Sequence, residues 1–367
     1  MRILFLIESL SSGGAERQLV NLMNGLVSKG HKVYCITWVN KHHYSKCDIP
    51  GVLWFQLERN YKFDIKFFLF VRSLIKKSEI SIIQGFLDTG SLFALISSFG
   101  LKNVKVFASE RSALRNLNFF AKFYKPLVHK LVFKTIVNSD AGKSYLESLC
   151  GKKIKIELVR NCFDCKLFYL PSESEKIELR KKYNIGQSTR VFLNVARIVP
   201  LKRQFEIVTA FINVSQNDDS ILILIGLSND VYLNKIQKYI IANNFSDRIR
   251  ILEPERRIQD FYKLADVFVL YSSYEGSPNV LVEAILSGLF VVSSKCGDSE
   301  FYLGLTEGNE LISQETKFGL ELAFKKILKY DQAFLYTSGH ENRLLLTSRI
   351  DLSVDEMVKN YERIYSD

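Results

Sequence analysis

The alternation at the start of the chain restricts its fold more than any other feature. The apolar run Ile3–Ile7 leads into a loop of small residues, Ser9 to Gly14. Leu19, Leu22, Met23, Leu26 and Val27 then mark one face of a helix that stops at Gly30, and a second apolar run spans Val33–Trp38. Strand, loop, helix and strand in so few residues form a βαβ unit, and such a crossover requires a parallel sheet.

The pattern repeats. Ser81–Ile83, Lys105–Ala108 and Thr135–Val137 read as short buried strands. A polar, charge-rich stretch, Ser172–Ser188, interrupts the series, which restarts with Val191–Val195, Ile221–Ile225, Ile249–Leu252, Val267–Leu270 and Phe290–Val292. A length of 367 residues suits two α/β domains, and 47% apolar content excludes a disordered chain. The sequence therefore predicts two doubly wound, Rossmann-like domains, 1–170 and 171–352. A final helix over 353–367 has apolar residues at 354, 357, 358, 361, 364 and 365.

The net charge of +11 is unevenly placed. Residues 1–165 hold 25 Lys and Arg against 12 Asp and Glu (+13), and residues 166–367 hold 25 against 27 (−2). A basic first half suits an anionic partner, a membrane leaflet ahead of nucleic acid, for which charge is the only signal. The segment Phe119–Lys134 interleaves aromatics with lysines. It reads equally as an interfacial helix and as a core helix with a solvated lysine face. The six cysteines are scattered, and Cys162-x-x-Cys165 lacks a second ligand pair, so reduced thiols in a cytosolic protein are expected. Met1 runs straight into an apolar strand with no basic segment or cleavage site, so no signal peptide is expected. The uncharged stretch Thr89–Leu101 is too short to span a bilayer.

Two segments carry candidate chemistry. After the strand 267–270 comes Tyr274-Glu275-Gly276-Ser277-Pro278-Asn279-Val280-Leu281-Val282-Glu283, then Ser287-Gly288. Ser277 and Pro278 suit an N-cap and first turn, so a helix starting near 278 aims free amides at the carboxyl end of the sheet, where anions bind. Gly276 allows a phosphate to approach the backbone. Carboxylates repel phosphates, so Glu275 and Glu283 are expected to accept hydrogen bonds from sugar hydroxyls. The second segment, Asn194–Lys202, puts Arg197 past the end of a strand and Lys202 at a helix start. Two cations there could clamp a diphosphate and neutralise charge as it leaves.

Together these segments resemble glycosyltransferase family 4, the retaining transferases of the GT-B fold. The resemblance rests on Gly13-Gly14-Ala15-Glu16-Arg17, on Arg197 with Lys202, and on Glu275-x7-Glu283. Asn138-Ser139 and Val159-Arg160-Asn161-Cys162-Phe163-Asp164 with Phe168 add weaker matches. It implies two Rossmann-like domains facing a cleft, with the last helix crossing back to the first domain. It further implies that Arg197, Lys202 and Glu275 act at the reacting diphosphate. Gly13, Gly14, Gly276, Ser277, Pro278, Asn279, Val280 and Leu281 would bind the donor, with Glu283 on the ribose and the base near Glu253–Ile258. The implied activity is transfer from a UDP- or GDP-sugar to a glycan acceptor in cell-surface polysaccharide synthesis, as for lipopolysaccharide O-antigen. The acceptor would be lipid-linked and met by a cytoplasmic protein at the inner membrane face.

Many members of that family carry a histidine on the acceptor side, where this chain has Ser109-Glu110-Arg111. Glu110 and Arg111 are the acceptor-side candidates, with a surface ion pair the alternative. Gly142-Lys143-Ser144 mimics the end of a P-loop, but Val137 stands where that motif requires glycine. There is no Asp-x-Asp, so no metal and no cofactor are expected beyond the nucleotide-sugar substrate. A GT-B sugar-nucleotide epimerase and a non-catalytic sugar-nucleotide binder are the alternative functions. Five histidines are few for epimerase acid–base chemistry, and the Arg197–Lys202 pair disfavours a passive binder.

Overall fold

In a computed structural model the chain is described at every residue except 60, 62–63, 112–118, 229, 256 and 313–317. It divides into two compact units: Met1–Cys162 with Leu352–Asp367, and Phe163–Asp351.

Unit 1 alternates β1 (Arg2–Leu6), α1 (Gly14–Ser28), β2 (Lys32–Thr37), β3 (Leu53–Gln56), α2 (Ile65–Lys77), β4 (Ile82–Phe86) and α3 (Leu87–Ser98). It continues with β5 (Lys105–Glu110), α4 (Phe119–Leu131), β6 (Lys134–Val137), α5 (Asp140–Cys150) and β7 (Ile156–Leu158). Its parallel sheet has the order β3-β2-β1-β4-β5-β6-β7. The sheet is covered on both faces, which is why β1 reads as unbroken apolar sequence. Ile3 and Phe5 pack with Leu19, Leu22 and Met23 of α1, while Leu4 and Leu6 pack with Phe67 and Val71 of α2 and Phe93 of α3. From β1 the chain first builds one flank and then returns to β4 on the other. The carboxyl ends of β1 and β4 therefore flank a topological switch point, where open α/β sheets bind ligands.

Helix α3 follows β4 with no loop, and its first residue, Leu87, has φ +63°. A bulky residue there is strained, and close packing holds it. A Cβ on Gly90 would lie 2.4 Å from the Leu6 carbonyl oxygen, and one on Gly85 would strike the Gly90 backbone.

Unit 2 contains α6 (Glu173–Lys182), β8 (Arg190–Val195), α7 (Gln204–Val214), β9 (Ser220–Ile225), α8 (Asp230–Ala242), β10 (Ile249–Leu252) and α9 (Ile258–Leu264). After these come β11 (Val267–Leu270), α10 (Asn279–Leu286), β12 (Phe290–Ser294), α11 (Ser299–Gly304), β13 (Glu310–Ile312), α12 (Gly319–Lys329) and α13 (Gln332–Arg349). Its sheet is also parallel, in the order β10-β9-β8-β11-β12-β13, so its switch point lies between β8 and β11. These two strands pair at Phe192–Val267 and Leu193–Phe268, short of their carboxyl ends.

The last helix, α14 (Val354–Ser366), belongs to unit 1. Ser353 caps it by accepting from the Glu356 amide. Val358 packs so tightly against α1 that a Cβ on Gly25 would come within 2.4 Å of it. Tyr361, Ile364 and Tyr365 are buried in the same core.

The structure corrects the expected limits of the domains. Residues 163–170 group with unit 2, because Phe168 stacks edge-on against Tyr262 and Leu170 lies against Gly288. The edge strands β3, β7 and β13 were not read from the sequence. Among the described residues, no helix is long and apolar enough to cross a membrane.

Candidate active site

The loops leaving β8 and β11 lie on either side of the unit 2 switch point. After β8, Arg197 is exposed, and Pro200–Lys202 form a single 3₁₀ turn. Arg203 then takes a left-handed conformation (φ 51°) before α7 begins at Gln204, so Lys202 precedes the helix rather than opening it. Three bonds fix this loop: Gln204 Nε2 donates to the Arg197 carbonyl at 2.9 Å, the Ser273 amide to the Leu201 carbonyl at 2.9 Å, and Asn194 Nδ2 to the Val269 carbonyl at 2.8 Å. Lys202 Nζ is thereby brought into an ion pair with Glu275 Oε1, which also accepts from Ser272 Oγ at 2.7 Å. Residues 73 apart in sequence meet at one point.

Helix α10 opens at Asn279, with Pro278 rather than Ser277 at the N-cap and no side chain capping it. The expected Ser277 cap is not formed, because the Ser277 hydroxyl lies 3.1 Å from Tyr302 Oη. The first turn of α10 thus lies directly beside Gly276, with no cap supplied by its N-cap residue. Glu283 is 2% exposed and accepts from Tyr262 Oη at 3.0 Å. Glu275 lies nearer the surface, in the loop, with its side chain 13% exposed. Of the expected base-pocket residues, Arg256 lies outside the described residues, and Glu253 is exposed just past β10.

In unit 1, Gly13 is the N-cap of α1 and Gly14 its first residue, at the carboxyl end of β1. Glu110 and Arg111 do not form a surface ion pair with each other. Glu110 is 2% exposed and pairs with Lys125 Nζ, which also reaches Asp88 Oδ1 at 2.9 Å. Arg111 donates from Nη1 to Asn161 Oδ1 at 2.7 Å and from Nη2 to Tyr361 Oη at 2.8 Å, with its guanidinium over Phe86. Neighbours on a strand point to opposite faces, and that separates the two side chains.

Helix α4 corrects the reading of a core helix with a solvated lysine face. Its buried side carries Ala121, Lys125, Val128 and His129, whereas Phe119, Phe120, Phe123, Leu127 and Leu131 are exposed. Burial draws the Lys125 ammonium down, but Glu110 and Asp88 outweigh it and push the group above the usual lysine range. Burial, reinforced by Lys125, lowers His129 to about 4. His129 Nδ1 lies 2.9 Å from Thr135 Oγ1.

Two family models divide the chain between them. "Glycosyltransferase Family 4" matches residues 12–167 and "Glycosyl transferases group 1" matches residues 175–329. The chain is glycosyltransferase family 4-like over both of its halves.

Its relatives include an uncharacterized glycosyltransferase of Methanocaldococcus jannaschii, 28% identical over 48% of this chain and 42% of that protein. The chain thus spans less than half of that relative. A second relative is a Campylobacter jejuni α-1,4-N-acetyl-D-galactosaminyltransferase, named for a GalNAc-containing acceptor on diphosphoundecaprenol. It is 24% identical over 80% of this chain and 79% of its own length. Among solved structures, HepE of Anabaena in complex with UDP and glucose superposes with a TM-score of 0.85 at 18% identity, covering the whole of both chains, and shares the GT-B fold.

Family motifs did not point to every residue that builds this carboxyl edge of unit 2. A Cβ on Gly297 (φ 54°) would lie 2.1 Å from the Gly276 carbonyl oxygen, so the loop after β12 closes against the Glu275–Gly276 backbone. The Asp298 amide donates to that same carbonyl at 2.9 Å. Gly226, after β9, supports the other loop in the same way, since a Cβ there would reach within 1.9 Å of the Ala196 carbonyl oxygen. Glycine after a central strand was the signal available in sequence. Lys125 and Asp88 carried none, because each gains meaning only from the other.

Proposed function

We propose that this protein is a metal-independent, retaining hexosyltransferase. It moves a sugar from a UDP- or GDP-sugar to a lipid-linked glycan during cell-surface polysaccharide synthesis. The observation that carries the reading is the meeting of Lys202 and Glu275 at the unit 2 switch point, beside the start of α10. In this reading the diphosphate lies against the amides of Gly276–Leu281 and the cations Arg197 and Lys202, which stabilise it as it leaves. Glu275 holds Lys202 in register and accepts from the transferred sugar, while Glu283 receives the ribose. The acceptor attacks from the face the diphosphate vacates, so the anomeric configuration is retained without a covalent nucleophile.

The acceptor is assigned to unit 1, around the edge of β4 and β5, with Gly13 and Gly14 on the donor. Two features support a lipid-borne acceptor at an anionic inner membrane face: the bare apolar side of α4, and the net +13 of residues 1–165. The name of the Campylobacter relative points to the same acceptor class. The deciding experiment is a thermal-shift screen against UDP-, GDP- and ADP-sugars, followed by a transfer assay with any donor that stabilises. Stabilisation by none of them, with no transfer, would refute the reading.

A further inference from the structure

Helix α4 is turned inside out relative to an ordinary helix packed on a sheet. Five large apolar side chains face solvent, while its inward side, beside Ala121 and Val128, makes polar contacts with the sheet edge: Lys125 to Asp88 and Glu110, and His129 to Thr135. Asp88 lies in the first turn of α3, just past β4, Glu110 ends β5 and Thr135 lies in β6, so one helix face reaches two neighbouring strands and the start of α3.

Burying an ammonium with two carboxylates is a poor way to gain stability, because apolar groups of equal volume often do as well or better. What such a pair contributes is register: it fixes where α4 sits along the edge. Asp88 is the arm of the triad that reaches solvent, with its side chain 35% exposed. It cannot yield towards the sheet, because the Gly85–Gly90 contacts and the strained Leu87 lock the start of α3 over the switch point of unit 1. The adjustable partner is therefore the helix.

We propose that Lys125 is a positioning residue, which transmits the seating of α4 on a lipid surface to the acceptor edge formed by Asp88 and Glu110. The inference rests on the reading that this edge meets a lipid-borne acceptor. Lipid contact orders the outer face of α4, Lys125 carries that order inward, and the carboxylates at β4 and β5 settle into one arrangement for the incoming glycan.

Amide hydrogen exchange on the full chain, with and without vesicles of anionic phospholipid, tests this. In the wild type, vesicles should slow exchange in 119–131 and also in 87–91 and 109–111, by about tenfold at the last two. The double variant Lys125→Met/Glu110→Gln removes the buried pair without stranding a charge. It should bind the same vesicles, since the outer face is untouched, yet confine protection to 119–131. Asp88→Asn, at a half-exposed position, should lose protection at 87–91 and keep it at 109–111. Protection that spreads equally in all three proteins, or never spreads in the wild type, overturns the proposal. If the wild type fails to bind vesicles at all, the lipid-facing function itself falls, and that outcome is distinct from binding without transmission.

Discussion

At the carboxyl edge of the second sheet, the charged residues come from two short segments, 197–202 and 275–283. Backbone hydrogen bonds and glycine contacts hold them, and Lys202 and Glu275 stay close to the surface. At the same edge of the first sheet, charges from two elements, α3 and β5, converge on Lys125 of α4, which is 2% exposed. The topology is the same and the construction opposite. Under the proposed function, the second edge keeps reachable the groups that change partners as a diphosphate develops charge, and braces the backbone behind them. The first holds a bulky acceptor in one pose by a buried charged register.

The sharpest way to break the comparison is at the cations of unit 2. Lys202→Ala and Arg197→Ala should each lower kcat by about two to three orders of magnitude, measured with whichever nucleotide sugar stabilises the protein. Near-normal turnover in both would leave the exposed edge without its assigned role.

Acid should separate the two units next. His129 has a folded value of about 4, below the ordinary 6.5. As pH falls from 6.5 towards 4 the unfolded chain takes up a proton that the folded unit refuses, so unit 1 loses on the order of 3 kcal/mol of stability. Both tryptophans, Trp38 and Trp54, lie in unit 1, so their fluorescence melting should shift down across that window. In His129→Gln the shift should shrink.

A smaller effect is expected on lipid binding. Phe120→Glu/Phe123→Glu should weaken co-flotation with anionic vesicles by about thirtyfold and leave the donor-induced thermal shift unchanged. The smallest effect tests the bracing of unit 2: Gly297→Ala should push the Glu275–Gly276 backbone aside and weaken donor binding by about tenfold, with the fold retained. Unaltered donor binding would mean that this contact does not shape the site.

The central strands were legible because a sheet covered on both faces demands unbroken apolar runs, as in Ile221–Ile225. Among the edge strands, Ile249–Leu252 keeps three apolar residues of four and was legible, whereas Leu53–Gln56, Ile156–Leu158 and Glu310–Ile312 are short and only partly buried. The order of Arg197, Lys202, Glu275 and Glu283 was visible in sequence, but the Lys202–Glu275 contact needed the switch point to bring β8 and β11 side by side. At Glu110-Arg111, adjacency misled. For α4, aromatics and lysines alternate in a way that fits either orientation, and the choice was made by Asp88 and Glu110, far away in the chain.

The placement of α14 bears on how the molecule comes into being. Everything unit 2 contains lies in one continuous stretch, which can close as soon as it leaves the ribosome. Unit 1, although it starts earlier in the sequence, lacks Tyr361 and Tyr365 until all of unit 2 has been made, and until then Arg111 and the Gln84 side-chain oxygen lack the tyrosine hydroxyls they meet. The earlier-made half is therefore the later to mature, and a nascent chain stalled before Leu352 would carry a finished second half beside an unsealed first.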